Sequence, residues 1–377
     1  LLCRDIPQTI NVRTMLGGGT NTKSSTVAAG LAIGCVTGAL LAHVQHKRKS
    51  NQRTQEVESN DNVDDDMTFN PKFQIPKELL VEECPYKEEL KLAIKLALQA
   101  GKNIYPHVDN KGTTSESTTA SLGISSKSND ADFATTIDIA NEKLVMEGIA
   151  THFPSHKVIG EEETGTGQPP VLTADPTWIV DPIDGTANFA NGLPLTCVSL
   201  GFCVGKKPVL GVVYAPLTCE LFLAVKGFGS YRNTCKIHST SSKEEEALKT
   251  LSNAIVCFEF GSSRGEQNVK KLVSGMERIL QHGCRCTRSL GSGVLDMCYV
   301  ATGKLDVVYC GMANEGWKPW DYCAGSLVVE EAGGFVRSLQ GGYVEEDGFD
   351  IYESSMICGV SKALVEESRG VILGLSK

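Results

Sequence analysis

Two aspartates follow an apolar run in the stretch WIVDPIDGTANF. Asp181 and Asp184 would bring hard carboxylate oxygens to one strand end, where Mg²⁺ prefers such ligands, and the carbonyl of Ile183 would add a neutral oxygen. Gly185 and Thr186 then open a predicted helix, and the N–H groups of a helix start are a natural seat for a phosphate oxygen. The stretch therefore predicts a metal site beside a phosphate site.

Two further acidic elements are candidates for the same site. The sequence GEEE follows a second apolar strand, and Glu161 is its expected metal ligand, whereas Glu163 is expected to be a solvated charge. The pair WD places Asp321 in the first turn of a predicted helix. Read separately, these acids are equally typical of turns, exposed charge runs and helix caps. Read together, they predict carboxylates that converge from distant parts of the chain.

The elements that must position these residues begin near residue 76. Apolar residues at helical spacing predict two amphipathic helices, at 90–98 and 137–144, and the Ser-, Thr- and Gly-rich residues 110–129 between them predict a loop. Short apolar runs predict strands at 178–180, 196–204, 209–215, 221–225 and 305–309, and further helices are predicted at 269–280, 294–301 and 322–331. Strands and helices mix without a regular βαβ rhythm, which favours a layered α/β or α+β sandwich.

The first 75 residues differ in character from the rest. Residues 1–25 are a polar segment, and 26–45 contain an uncharged run that would cover about 27 Å as a helix, close to the thickness of a bilayer core. This run predicts a transmembrane segment, with an organelle-targeting peptide as the alternative. Residues 46–75 are acidic and poor in large apolar side chains, which predicts a disordered linker. A catalytic domain is then expected at 76–377.

Composition excludes some classes of protein. The chain has 377 residues and a formal net charge of −9, and no basic face is evident that would bind nucleic acid. Its 14 cysteines show no zinc-ligand spacing with nearby histidines, so buried free thiols are expected.

Taken together, WIVDPIDGTANF, the upstream GEE and the downstream WD with AG and EAGG resemble the inositol monophosphatase family. DFATTID, GSSR and GSGVLDMCYVATG extend the resemblance over residues 80–375. The resemblance implies a layered αβαβα sandwich, usually a homodimer, with two or three Mg²⁺ ions and inhibition by lithium.

The resemblance also implies roles for individual residues. The metal ligands would be Glu161, Asp181, the Ile183 carbonyl, Asp184 and Asp321. Thr186, hydrogen-bonded to Asp138, would act with Glu161 to activate the attacking water. Phosphate and substrate would contact Asp184, Gly185, Thr186, Gly291, Ser292, Gly293 and Glu315.

The sequence departs from the family pattern where substrate hydroxyls are usually bound. Family members active on inositol phosphates tend to have a Glu soon after the strand at 305–309, but Cys310 takes that place here and the following segment, 311–318, is longer. Glu315 is the candidate replacement, and an exposed loop carboxylate is the alternative.

These observations predict Mg²⁺-dependent hydrolysis of a small phosphate monoester by metal-activated water, because a doubly negative phosphate must be neutralised before water can attack it. Inositol monophosphate is the expected substrate. The alternatives are a sugar 1-phosphate, histidinol phosphate or a nucleotide 3′-phosphate, or a membrane-tethered binding protein without catalysis. The expected location is a membrane with a cytoplasmic catalytic domain, or an organelle after removal of residues 1–50.

Overall fold

The computed structural model describes residues 73–109, 123–129, 132–313, 317–342 and 348–375. The predictions for 1–25, for 26–45 and for nearly all of the linker at 46–75 lie outside these residues. Within the described part of the chain, no helix is both long enough and apolar enough to cross a bilayer. The described residues belong to one compact unit within Asp64–Lys377.

Helices and strands alternate irregularly along this unit, as the sequence predicts. In the described ranges the helices are α1 Lys87–Asp109, α2 Thr136–His152, α3 Glu161–Thr164, α4 Thr186–Asn191, α5 Lys243–Leu248, α6 Glu266–His282, α7 Gly293–Ala301, α8 Pro319–Glu331 and α9 Lys362–Leu373. The strands are β1 Ser125–Asn129, β2 Asp132–Ala134, β3 Lys157–Gly160, β4 Thr177–Asp184, β5 Cys197–Val204, β6 Lys207–Ala215, β7 Glu220–Val225, β8 Gly229–Arg232, β9 Cys235–Ile237, β10 Ile255–Phe258, β11 Cys286–Arg288, β12 Val307–Cys310, β13 Phe335–Arg337 and β14 Met356–Gly359.

A large mixed sheet holds the acidic strand ends. Its order is β3-β4-β5-β6-β7-β8-β9, with β3 parallel to β4 and the other neighbours antiparallel. Side chains alternate between the two faces of each strand. On β7, for example, Leu221 and Leu223 pack into the core on one face, and Phe222 and Ala224 pack into the core on the other. Both faces of this sheet are therefore covered.

The covering helices make the layers. Helices α1 and α2 pack on the first face of the large sheet, and α7 and α8 lie between it and a smaller sheet of order β11-β10-β12-β14-β13. Helices α6 and α9 pack against each other, and α9 packs on the smaller sheet. The predicted αβαβα sandwich is thus confirmed.

Three local findings refine the sequence-based picture. Residues 125–129, predicted as loop, form β1, which pairs antiparallel with β2. Phe73 is buried and its ring lies 5.3 Å from that of Tyr214, so packing begins before residue 76. The cysteines of the described ranges are free thiols, most of them buried, as expected.

Candidate metal and phosphate site

The end of β4 brings two aspartates to one side of the sheet. In a regular strand, residues three positions apart point to opposite faces. The pairing of β4 with β5 shifts register between Asp181 and Asp184, and Asp181 Oδ1 accepts the N–H of Ile183 at 3.0 Å within that shift. The irregular strand end is therefore what lets both carboxylates face a common point.

Gly185 turns the chain from β4 into α4. Its φ of +81° is a left-handed conformation that favours glycine, and a Cβ there would lie 2.9 Å from the carbonyl oxygen of Leu195 and 3.0 Å from that of Gly291. The glycine thus allows the first turn of α4, with its unpaired N–H groups, to follow the aspartates directly.

Asp321 completes the group from a distant part of the sequence. It lies in the first turn of α8, where its carboxylate accepts the N–H of Lys318. Oxygen atoms of Asp181, Asp184 and Asp321 all lie within 4.8 Å of one another. The structure therefore brings together three of the acids that the sequence singled out as metal ligands.

The pKa of each of these three carboxyl groups is raised, which favours the neutral form. Burial, reinforced by the negative charges of Glu161 and of the other two aspartates, raises the pKa of Asp181 well above its ordinary value. Burial and the charges of Glu161 and Asp184 do the same to Asp321. Burial raises the pKa of Asp184 to about 6, against hydrogen bonds from the Ser292 hydroxyl and the Val294 N–H that favour the anion. A set of crowded hard oxygens with this mutual repulsion fits a divalent cation such as Mg²⁺.

Glu161 directly follows β3, the strand that lies next to β4 in the sheet. Because β3 runs parallel to β4, both strands end at the same edge of the sheet. The Glu161 carboxylate lies 2.8 Å from the Lys127 ammonium, which also lies 2.8 Å from Glu162. Burial and the charge of Glu161 raise the pKa of Glu162 to about 7, and Glu163 is exposed, as expected.

Thr186 and Asp138 are in contact, as the family resemblance implies. The Thr186 hydroxyl lies 3.3 Å from Asp138 Oδ1 and 3.0 Å from the carbonyl oxygen of Ile183, so its single proton has two acceptors. Asp138 also accepts the N–H and hydroxyl of Thr135, the residue that caps α2. Burial raises the pKa of Asp138 to about 6, although the bonds from Thr135 favour its anion.

An open cleft of about 640 Å³ joins these groups. Its lining includes Glu161, Asp184, Gly185, Thr186, Gly291, Gly293 and Asp321 from the predicted set, together with Lys127, Glu259, Phe260, Arg264, Trp317 and Lys318. Three of the expected metal ligands and two glycines expected to contact substrate therefore line one space.

One predicted substrate contact, Ser292, is placed differently in the structure. Ser292 is 1% exposed and its hydroxyl donates to Asp184, so its role in the structure is to hold that carboxylate rather than to line the cleft. Cys310 is 2% exposed, and its sulfur lies 3.6 Å from the hydroxyl of Tyr322 in the core. Glu315 lies outside the described residues.

Three further charged residues lie around the site, and the sequence motifs do not single them out. Lys127 falls within residues 110–129, which the sequence predicts to be a loop, so its pairing with Glu161 is not expected from the sequence. Glu142 follows Asp138 by one helical turn, and this spacing was the available signal that both share a face of α2. Glu259 accepts the N–H groups of Leu290 and Gly291 at 2.8 and 2.9 Å, which holds the glycine turn. Nothing in the local sequence indicates that pairing.

A second group of potential ligands lies next to this turn. Atoms of Cys257, Glu259 and Asp296 fall within 4.8 Å of one another. Cys257 and Asp296 are fully buried, and of the three only Glu259 lines the cleft. The aspartate group, which opens onto the cleft, is the better candidate for a catalytic metal.

A two-sheet sandwich with aspartates gathered beside a helix start suits a metal-dependent phosphoric monoester hydrolase, because it brings metal ligands and phosphate-binding N–H groups together. Comparison with known proteins makes the assignment specific. The inositol monophosphatase family model matches residues 86–371, and the chain belongs to that family.

Individual relatives agree with this assignment. The chain is 35% identical over 282 residues to inositol monophosphatase 1 of Sus scrofa, covering 75% of this chain and 93% of that protein. It is 37% identical over 262 residues to inositol monophosphatase 2 of Solanum lycopersicum, covering 68% and 89%. Among solved structures, the IMPase of Thermotoga maritima matches with a TM-score of 0.60 and 27% identity, covering 76% of this chain and 98% of that one.

Proposed function

We propose that this protein is a Mg²⁺-dependent phosphatase that hydrolyses inositol monophosphate. The observation that carries the proposal is the convergence of Asp181, Asp184 and Asp321 within 4.8 Å of one another, with Asp184 and Asp321 lining an open cleft. The relatives named inositol monophosphatase, which match most of their own length, support the choice of substrate.

The metal would be held by the three aspartates together with Glu161 and the carbonyl of Ile183. Bound Mg²⁺ would supply neutralisation of the phosphate dianion and stabilisation of the leaving alkoxide. These ligands are arranged for that task, since Asp184 is fixed by Ser292 and the helix start of α7, and Asp321 is fixed by the start of α8.

The other polar groups position water and phosphate. When the Thr186 hydroxyl donates to Asp138, its oxygen lone pair is free to accept a hydrogen bond from a water in the cleft, and Glu161 is the carboxylate that would help orient that water. As that water attacks, its proton would pass to Thr186 while the hydroxyl proton of Thr186 passes to Asp138. Gly185 and Thr186 line the cleft at the start of α4, where backbone N–H groups would bind phosphate oxygens. Gly291 and Gly293 would contact the polyol.

Further properties follow from family membership. We expect two or three Mg²⁺ ions, inhibition by Li⁺, and assembly as a homodimer. The anchor or targeting signal at 26–45 stays a prediction. A binding protein without catalysis is not favoured, because Asp181, Asp184 and Asp321 are gathered at one place, and two of them line the cleft together with Glu161.

A panel of phosphate monoesters tests the proposal. Phosphate release is measured for inositol 1-phosphate, a sugar 1-phosphate, histidinol phosphate and a nucleotide 3′-phosphate, with Mg²⁺ and with EDTA. The proposal predicts the highest kcat/KM for inositol 1-phosphate and no turnover in EDTA. Faster hydrolysis of another member of the panel would contradict the choice of substrate, and turnover in EDTA would contradict the chemistry.

A further inference from the structure

Glu142 is a buried acid on α2 with an unusual position. Its side chain is 4% exposed, and its carboxylate faces the start of α3, the turn that carries Glu161. Glu142 Oε2 accepts the N–H of Glu162 at 2.8 Å, and Oε1 accepts the N–H of Glu163 at 2.6 Å. Both oxygens of one carboxylate therefore bind the backbone on the C-terminal side of Glu161.

These two bonds replace a conventional helix cap. The first N–H groups of a helix have no carbonyl partner within the helix, and the residue before the helix usually provides a side-chain acceptor. Gly160 precedes α3 and has no side chain to offer. Glu142 takes over that role from a different helix, because its two carboxylate oxygens accept the N–H groups of Glu162 and Glu163.

The absence of a side chain at Gly160 has a steric reason. Its φ of −109° is ordinary for any residue, so backbone conformation does not demand glycine. A Cβ at this position would instead lie 2.4 Å from Glu142 Oε2 and 2.6 Å from the carboxyl carbon. A side chain at residue 160 would therefore have to displace the Glu142 carboxylate from the space beside the backbone.

We propose that Glu142 is a positioning residue for Glu161, fixing the backbone turn from which that carboxylate reaches the metal. This inference rests on the proposed function, because it takes Glu161 to be a metal ligand. The same helix thereby holds two parts of the site, since Asp138 contacts Thr186 one turn earlier. Changes to groups that orient metal ligands typically weaken metal binding about 10- to 100-fold.

The test measures Mg²⁺ binding directly, by isothermal titration calorimetry of metal-free protein, with thermal unfolding as a check on folding. Glu142→Ala removes both acceptors, and Glu142→Gln keeps one acceptor oxygen while adding a donor that opposes an N–H. Glu163→Gln is the matched control, since it removes one charge from the same turn without touching the cap. We expect about 10- to 100-fold weaker binding in Glu142→Ala, an intermediate loss in Glu142→Gln, and less than about a 2-fold change in Glu163→Gln.

Gly160→Ala separates positioning from simple loss of charge. Its methyl group would displace the Glu142 carboxylate without altering the net charge, so Mg²⁺ binding should weaken as in Glu142→Ala. The double variant that combines Gly160→Ala with Glu142→Ala has no carboxylate in the way of the methyl group. Its loss of Mg²⁺ affinity should therefore be no greater than that of Glu142→Ala alone.

The outcomes distinguish the inference from the function it rests on. Wild-type affinity in both Glu142→Ala and Gly160→Ala, beside a wild type that binds Mg²⁺ and hydrolyses inositol 1-phosphate, would overturn the positioning role alone. A loss of affinity in Glu163→Gln equal to that in Glu142→Gln would also overturn it, because charge would then suffice. A wild type that binds no Mg²⁺ would overturn the proposed function and this inference together.

Discussion

The ammonium of Lys127 lies 2.8 Å from a carboxylate oxygen of Glu161, and both side chains are largely shielded from solvent. The same ammonium reaches Glu162 at 2.8 Å. Lys127 therefore brings a positive charge from the β1–β2 hairpin to the edge of the carboxylate group. The charge of Lys127 lowers the pKa of Asp181 and of Asp321, and this partly offsets the rise caused by burial and by the neighbouring carboxylates.

Removing this charge should destabilise the protein most when no metal is bound. Lys127→Met leaves Glu161 and Glu162 without their cation, which we expect to cost about 2 kcal/mol and to lower the melting temperature by about 4 °C in EDTA. Saturating Mg²⁺ should reduce the difference in melting temperature between Lys127→Met and wild type, since the metal would supply the missing positive charge.

The control is Lys143→Met, which breaks an exposed ion pair with Glu147 and should change stability by less than about 0.5 kcal/mol. An unchanged melting temperature for Lys127→Met in EDTA, measured by differential scanning calorimetry, would refute the charge-balancing role.

Stability should respond to pH and Mg²⁺ in a linked manner. The pKa of Asp184 is raised to about 6 in the folded protein, above the value of about 3.9 in an unfolded chain. A carboxyl group shifted in this direction contributes stability below its unfolded pKa and loses it as pH rises through its folded pKa. In EDTA, the contribution of this group should therefore fall between about pH 4 and pH 6.5.

Mg²⁺ binds the ionised form, so the rise in melting temperature caused by Mg²⁺ should be small at low pH and largest above about pH 6.5. Asp184→Asn should flatten this pH dependence. A Mg²⁺ effect that is equal across the range would show that these carboxylates are not the groups that bind the metal.

The Thr186 hydroxyl should matter for turnover rather than for substrate affinity. Thr186→Ala removes the contact with Asp138, and we expect kcat to fall about 10²- to 10⁴-fold, the range typical of groups that assist proton transfer. Thr186→Ser keeps the hydroxyl and should retain most of the activity. Equal losses in the two variants, from steady-state kinetics with inositol 1-phosphate, would point to packing by the methyl group instead.

Trp317 should distinguish ring substrates from open-chain ones. Its indole lies against Gly293, where an added Cβ would be 2.6 Å away, and it lines the cleft. Trp317→Ala should raise KM for inositol 1-phosphate roughly fivefold, because burying about 40 Å² of apolar ring surface is worth about 1 kcal/mol, and leave KM for glycerol 2-phosphate within about twofold. The same change for both substrates would rule out ring recognition by this side chain.

Much of the site was predictable because its acids occur at element boundaries. Asp181, Asp184 and Asp321 each follow or open an apolar element, and buried elements of a layered fold bring such boundaries together. The family resemblance added the pairing of Asp138 with Thr186, which the structure contains. The layered fold itself followed from the irregular mixing of strands and helices.

The remaining features depend on distant contacts that local patterns do not encode. Lys127 lies in a polar stretch with no apolar alternation, so its strand and its pairing with Glu161 arise only in the folded chain. The Cys310 side chain is buried against the Tyr322 hydroxyl of α8, a contact that the local sequence does not indicate. In the sequence, Glu142 cannot be told from an exposed acid on a helix surface. Its role is visible only where the fold places its carboxylate beside Gly160.

The most direct measurement is the position of bound metal in crystals of this protein grown with Mn²⁺, located by its anomalous scattering. We expect a peak bounded by Asp181, Asp184 and Asp321, absent in Asp184→Asn crystals that retain the fold. A peak at other residues, or an undiminished peak in Asp184→Asn, would contradict this expectation.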